Sequence, residues 1–284
     1  MKCAIPIVDS HVHFWNPQQL DYRWLAGLPG LNREFLPEDY SNATKNSEVA
    51  KIVFVEAGCA ASQNVGEVDW ICELASREPR LKGIVAHARL EFGARVNPEL
   101  TALAKKSLVK GVRRNLQGEG DPNFCLQPDF IRGVHLLPQF GFTFDLCLGH
   151  QQLSAVTELV RRCPEVDFVL DHCAKPAIRD RQLDPWRQQL RELSESPNVL
   201  CKLSGLVTEA NPMRCRAEEL QPYVRHALDC FGFDRVLFGS DWPVCQLATS
   251  FASWLAALKT ILANETEANL TRLFRTNAEK IYRV

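Results

Sequence analysis

Two histidines one residue apart, His11 and His13, follow a short apolar run in the segment D-S-H-V-H-F-W from Asp9. Strand side chains alternate between faces, so residues two apart share one. Both imidazoles then point the same way at the end of a strand, where they can hold a metal or polarise a carbonyl. An H-x-H pair alone is a weak signal. Other apolar runs also end in ionisable groups: Glu56, Arg113-Arg114, Asp171-His172 and Ser240-Asp241. Burying such groups is costly unless they are paired or used. One reading is a set of buried ion pairs, such as Glu56 with an arginine. The agreement in position favours the other, a site built from His11, His13, His172 and Asp241. Asp241 is the expected general base, with the histidines and an arginine stabilising charge that grows on a carbonyl oxygen. Its alternative is a carboxylate merely paired with His172 or an arginine. Arg113 and Arg114 are neighbours, so only one faces inward. Lys202 and Ser204 share a face, and Lys202 reads equally as a substrate ligand or a buried ion-pair partner.

These groups need a scaffold that brings distant strand ends together. Eight runs rich in Val, Ile, Leu and Phe read as buried parallel strands. They begin near Ala4, Lys51, Leu81, Val109, Phe142, Asp167, Val199 and Arg235. Amphipathic stretches lie between them, clearest over Leu153 to Arg162, Pro185 to Ser194 and Ala217 to Phe231, with a helical tail over Glu265 to Ile281. Asp184-Pro185 reads as an N-cap followed by proline at the first helical position. This alternation implies a parallel sheet. An open dinucleotide-binding sheet calls for G-x-G-x-x-G after its first strand, and His-Val-His stands there instead. The expected fold is therefore α/β, a (β/α)8 barrel over residues 1–284 as one domain, with its chemistry at the C-terminal ends of the strands. Residues 14–46 are too long for an ordinary βα loop. They carry Trp15, Tyr22 and Trp24, and read as a wall or lid over the barrel mouth or as a packing insertion there.

Composition narrows the partners. The chain has 284 residues, 46% hydrophobic and 24% charged, the balance of a globular domain. Its formal net charge is -1, with no basic block of the kind nucleic-acid binding leaves. No apolar run approaches the ~20 residues of a membrane span, and Asp9 and His11 interrupt the N-terminal apolar stretch, unlike a signal peptide. The 11 cysteines are scattered, with no C-x-x-C pair. They fit a reducing cytoplasm and small buried hydrophobes.

Taken together, D-S-H-V-H-F-W, R-E-F-L-P-E-D from Arg33, K-G-V-R-R from Lys110, F-D-L from Phe144, V-L-D-H-C-A-K-P from Val169, C-K-L-S-G-L-V-T-E-A from Cys201 and F-G-S-D-W-P-V-C from Phe238 resemble the lactonase branch of the amidohydrolase superfamily. That branch includes L-fuconolactonases, L-rhamnonolactonases and pyrone dicarboxylate lactonases. The resemblance runs from about residue 7 to the C-terminus. It implies a barrel that opens a lactone by hydrolysis, with His11, His13, His172 and Asp241 in the site and Asp241 activating water. Members of the branch often work without a metal. A binuclear cage would need a lysine or acid on the fourth strand and histidines on both the fifth and the sixth. The fourth strand supplies arginines, and the fifth supplies Asp145, with His150 well past its end. No metal is therefore expected to be required, although one divalent ion such as zinc would fall to His11, His13 and Asp241, with Glu56 or His172.

For a sugar-acid lactone such as an L-fucono- or L-rhamnonolactone, Trp15, Tyr22, Trp24, Glu56, His87, Asp145 and Trp242 are the expected substrate contacts. A dicarboxylate lactone would instead need cations at both ends, from Arg113 or Arg114 and Lys202. A zinc-dependent decarboxylase or amide hydrolase and a catalytically dead binding barrel are the remaining readings. The partner expected is a small lactone, with no nucleic acid and no membrane. Homo-oligomerisation stays open.

Overall fold

The computed structural model describes residues 5–211 and 216–284. Eight parallel strands follow one another in chain order around one sheet: β1 (Ile7–Val12), β2 (Val49–Val55), β3 (Leu81–His87), β4 (Val109–Arg113), β5 (Thr143–Leu146), β6 (Phe168–Leu170), β7 (Val199–Leu203) and β8 (Val236–Phe238). The sheet closes where Val12 bridges Trp242, the His13 N–H donates to the Trp242 carbonyl and the Asp241 N–H donates to the His11 carbonyl. The eight expected strands are therefore those of a (β/α)8 barrel. Ala4, expected at the start of the first, lies outside the described residues, as do Cys3 and Cys215. The nine described cysteines are free. No helix among the described residues is long and apolar enough to cross a membrane.

Alternation along each strand divides the core in two. Ile52, Phe54, Ile84, Phe144, Phe168 and Leu170 pack outward against the helices. Val8, Val53, Val55, Val85, Val169 and Leu237 fill the barrel interior. Each inward position near a C-terminal strand end can deliver a side chain to the mouth. The chain's tail closes the other end: Ala278, Ile281 and Tyr282 join the interior cluster. The Asn277 side chain donates to the Phe233 and Val236 carbonyls at 2.8 Å each.

Two helix expectations need correction. The helix after Asp184-Pro185 spans Trp186–Ser194, with Pro185 itself at the N-cap position. The Asp184 carboxylate is taken by Arg187 at 2.8 Å instead of capping the first turn. The tail is helical but not uniform. Thr266 caps it by accepting from the Asn269 N–H at 3.2 Å, and a π-turn over Arg272–Thr276 separates Glu267–Thr271 from Asn277–Tyr282.

The segment 14–46 contains a 3-10 turn, Arg23–Gly27, and a helix, Pro37–Thr44. Proline opens that helix, and Asp39 accepts from the Leu36 N–H at 3.0 Å. Its Tyr40 hydroxyl donates to Asp9 at 2.7 Å, which anchors the segment on β1. Asp9 is fully buried, and that burial pushes its carboxyl up to about 6.

Candidate active site

A cavity of about 350 Å³ opens at the C-terminal ends of the strands. Of the expected residues, His13, Trp24, Glu56, Arg113, His172 and Asp241 line it. His11 lies directly beneath, fully buried, its ring centroid 4.9 Å from that of His13 and 4.5 Å from that of His172.

The local backbone explains how these groups converge. Counting from inward-facing Val8, simple alternation would turn Ser10 and Val12 inward. A register irregularity between Asp9 and Val12 resets the parity. His11 then reaches the interior and Val12 joins the outer core. After β6 the chain takes left-handed φ values at His172 (55°), Cys173 (50°), Ala174 (60°) and Lys175 (50°). Asp241 also sits at φ 57°. Such conformations cost of order 1–3 kcal/mol each and persist only where the surroundings enforce them. Here the Asp241 N–H donates to the His11 carbonyl at 2.9 Å, and the Asp241 carbonyl accepts from the Cys245 N–H at 2.8 Å. Gly205, φ +59°, gives His172 its room: a Cβ there would lie 2.4 Å from the ring's Nδ1.

The His13 Nδ1 stands 2.8 Å from the Val55 carbonyl, which can only accept, so Nδ1 carries the hydrogen. In the neutral ring Nε2 is then a bare acceptor, 3.3 Å from Asp241 Oδ1. Two acceptors this close call for a proton, a water hydrogen or a cation between them. Burial works to raise the Asp241 carboxyl, but His172, His13 and His11 outweigh it and hold the group well below the usual carboxylate range. Burial lowers the His172 ring to about 4 and also holds His11 well below an ordinary histidine. At neutral pH those two rings are uncharged and Asp241 is ionised. The His172 Nδ1 is fixed by the Ser204 hydroxyl at 2.8 Å.

Below these groups lies a buried ionic floor. Lys202 donates to Asp145 at 2.6 Å and pairs with Asp171 at 3.0 Å, with its ammonium 3.3 Å from His11 Nδ1. Asp171 also meets His11 Nδ1 at 3.2 Å and Arg113 Nη1 at 3.3 Å. Arg113 donates through Nε to Glu56 at 2.7 Å and through Nη2 to the Glu56 carbonyl at 2.6 Å. Burial opposes the charge on Arg113, yet Glu56 and Asp171 keep the guanidinium firmly protonated.

Several expected substrate contacts sit elsewhere. Asp145 and Lys202 belong to the floor. Trp15 is fully buried, its indole donating to the Leu31 and Arg33 carbonyls at 3.2 and 2.9 Å. Trp242 is fully buried among Phe14, Phe35 and Tyr40. Tyr22 is turned to Glu67 at 3.2 Å. These aromatics build the wall from behind, and of that segment Trp24 reaches the cavity. His87 is half-buried beside Glu56 and does not line the cavity. Arg114 faces away, paired with Glu91 at 3.1 Å and Glu119 at 2.7 Å. The sequence reading missed Asn115, Gln117, Cys147 and Lys175 in the lining, and Asp171 in the floor. Asp171 and Lys175 stand within V-L-D-H-C-A-K-P; strict strand alternation turns neighbours such as Asp171 and His172 to opposite faces, and the left-handed turn after β6 brings both to the site.

The donor atoms of His11, His172 and Asp241 lie within 4.8 Å of one another, as do those of Cys147, Asp171 and His172. The first set fits one divalent ion of the zinc type, three protein ligands with an open position. It differs from the expected set by replacing His13 with His172. Glu56 is committed to Arg113.

Imidazoles and a carboxylate converging at the mouth of a (β/α)8 barrel define a class of barrel hydrolases that activate water against a carbonyl or related centre. The chain belongs to the amidohydrolase family, whose model matches residues 8–284. An L-fucono-1,5-lactonase of Burkholderia multivorans is 37% identical over 255 residues, spanning 86% of this chain and 84% of that protein. An L-fucono-1,5-lactonase of Burkholderia ambifaria is 31% identical over 285 residues, spanning 98% and 95%. The crystal structure of a Burkholderia multivorans amidohydrolase with bound zinc superposes with a TM-score of 0.88 at 32% identity, covering 98% of this chain and 99% of that one.

Proposed function

We propose that this protein hydrolyses the lactone of a sugar acid, with Asp241 as general base. The observation that carries the proposal is the buried Asp241 carboxylate facing the cavity, 3.3 Å from His13 Nε2, with the other nitrogen of that ring held at the Val55 carbonyl. Asp241 takes a proton from water as the water oxygen bonds to the lactone carbonyl carbon. Hydrogen-bond donors at the cavity wall, the Arg113 guanidinium foremost, stabilise the oxyanion. The ring C–O bond then breaks, and the proton held by Asp241 passes to the departing ring oxygen, which becomes the hydroxyl of the open acid. Where a divalent ion is bound, His11, His172 and Asp241 are the residues to hold it, and it would supply Lewis-acid polarisation of the carbonyl.

A neutral polyhydroxylated lactone suits this cavity better than a dicarboxylate. Arg113 is neutralised by Glu56 and Asp171, and Lys202 lies in the floor. Lys175 lines the cavity with no acidic partner within 4 Å among the described residues, donating to Gln117 at 2.5 Å. One free cation does not grip two carboxylates. The test is a pH-indicator assay of purified protein on a panel of aldonolactones, with and without chelator. Proton release that survives chelation supports the mechanism as written, and loss on chelation with recovery on zinc makes the ion obligatory. No release from any aldonolactone, with or without zinc, refutes the proposal.

A further inference from the structure

A second cavity, about 510 Å³, adjoins the first and shares Lys175 and Gln117 with it. The hydrogen bond between those two side chains forms the partition. The outer cavity is built from the segments that follow β4, β5, β6 and β7. Those segments are bonded to one another around it. The Gln152 side chain donates to the Leu116 carbonyl at 2.8 Å, His150 Nδ1 donates to the Lys175 carbonyl at 3.0 Å, and the Arg179 N–H donates to the Glu209 carbonyl at 2.9 Å. Backbone groups are thereby tied off while side-chain heads stay free. Gln151 and Arg179 present exposed amide and guanidinium groups, and Arg179 has no ion pair among the described residues. Asp180 and Glu209 supply acceptors on the same wall.

The lining thus mixes donors and acceptors, holds charges of both signs and has no Phe, Tyr or Trp among its residues. An anion would meet Asp180 and Glu209, and an apolar group would strand their polar atoms without partners. A neutral ligand with many hydroxyls satisfies both kinds of group, directly or through water. The inner cavity is near the lower end of the ~300–1,000 Å³ range of ligand pockets, sized for one lactone ring. We infer that the outer cavity is a sugar-binding subsite, and that the preferred substrates are lactones of glycosylated aldonic acids, with the lactone ring in the inner cavity and the attached sugar beyond Lys175 and Gln117. This rests on the lactonase reading, but the subsite can be tested separately.

The experiment compares kcat/KM for aldonolactones and for the corresponding lactones bearing one further sugar, in the wild type and in Arg179→Ala and Gln151→Ala. Neither substituted residue lines the catalytic cavity. Expected is at least a tenfold higher kcat/KM for one or more glycosylated lactones, lost mainly through KM in the variants, with parent lactones changed less than twofold. Turnover of parent lactones with every glycosylated lactone slower, or an advantage untouched by both substitutions, overturns the subsite and leaves the lactonase reading standing. If neither substrate type reacts, the lactonase reading falls, and calorimetry with open-chain disaccharide aldonates decides the subsite. Millimolar or tighter binding weakened fivefold by Arg179→Ala supports it, and no binding overturns it.

Discussion

Replacing Lys202 with methionine tests whether the floor beneath the site is an ionic structural unit. The ammonium is fully buried and serves two buried carboxylates, Asp145 at 2.6 Å and Asp171 at 3.0 Å. Methionine matches its length but leaves Asp145 without a cation and Asp171 with Arg113 alone. Removing one partner of a buried pair costs ~3–5 kcal/mol, a large share of a stability of roughly 5–15 kcal/mol. At ~2–4 °C per kcal/mol for a large domain, the melting temperature should fall by roughly 6–20 °C at pH 8. The pH dependence gives the mechanism. Burial already raises Asp145 even with Lys202 beside it, and without Lys202 it rises further. A carboxyl raised in the folded state binds more protons there than in the unfolded chain, so stability increases as pH falls through that window. The deficit of Lys202→Met should therefore shrink between pH 8 and pH 5, and Asp145→Asn should partly rescue it. Thermal melts by circular dichroism across that range provide the assay. A variant melting within about 2 °C of wild type at pH 8, or a deficit that widens as the pH drops, would show that the Lys202 ammonium does not hold the floor together.

Gly205→Ala should reduce kcat by tenfold or more and lower stability, because a Cβ there would sit 2.4 Å from His172 Nδ1 on a backbone at φ +59°. Unchanged kinetics would show that His172 need not occupy the position described. Activity should stay level as pH falls from 7 to about 5 and drop toward pH 4, where the His172 ring, lowered by burial, takes up its proton. The same depressed value means that stability from neutral His172 is present above the unfolded value of ~6.5, and is lost as pH falls through about 4. A kcat/KM profile with its acid limb centred near 6.5 would contradict that assignment.

The barrel was legible because its interior and exterior layers both leave apolar marks on every strand, and because H-x-H occupies the place of a glycine-rich turn. The neighbouring pair at the end of β4 resolved by parity: Arg113 faces inward and Arg114 outward. Parity alone could not place His11, which depends on the irregularity between Asp9 and Val12. Nor could it bring Asp171 and His172 to the same site, which takes the run of left-handed residues after β6. Aromatic composition misled over Trp15, Tyr22 and Trp242. An insertion over a barrel mouth needs its own core, and large rings fill that core as readily as they line a pocket. Lys202 carried two readings in the sequence, and its contacts with Asp145 and Asp171 decide for the ion pair.

The most direct test of the central claim is Asp241→Asn assayed on whichever aldonolactone the wild type turns over fastest. Asparagine keeps the shape and tolerates the left-handed backbone, but it cannot take a proton from water. Expected is a fall in kcat of ~10²–10⁴-fold, the usual contribution of a general base, in a variant whose circular dichroism shows the barrel still folded at the assay temperature. A folded Asn variant that keeps its kcat within threefold of wild type would show that Asp241 is not the base.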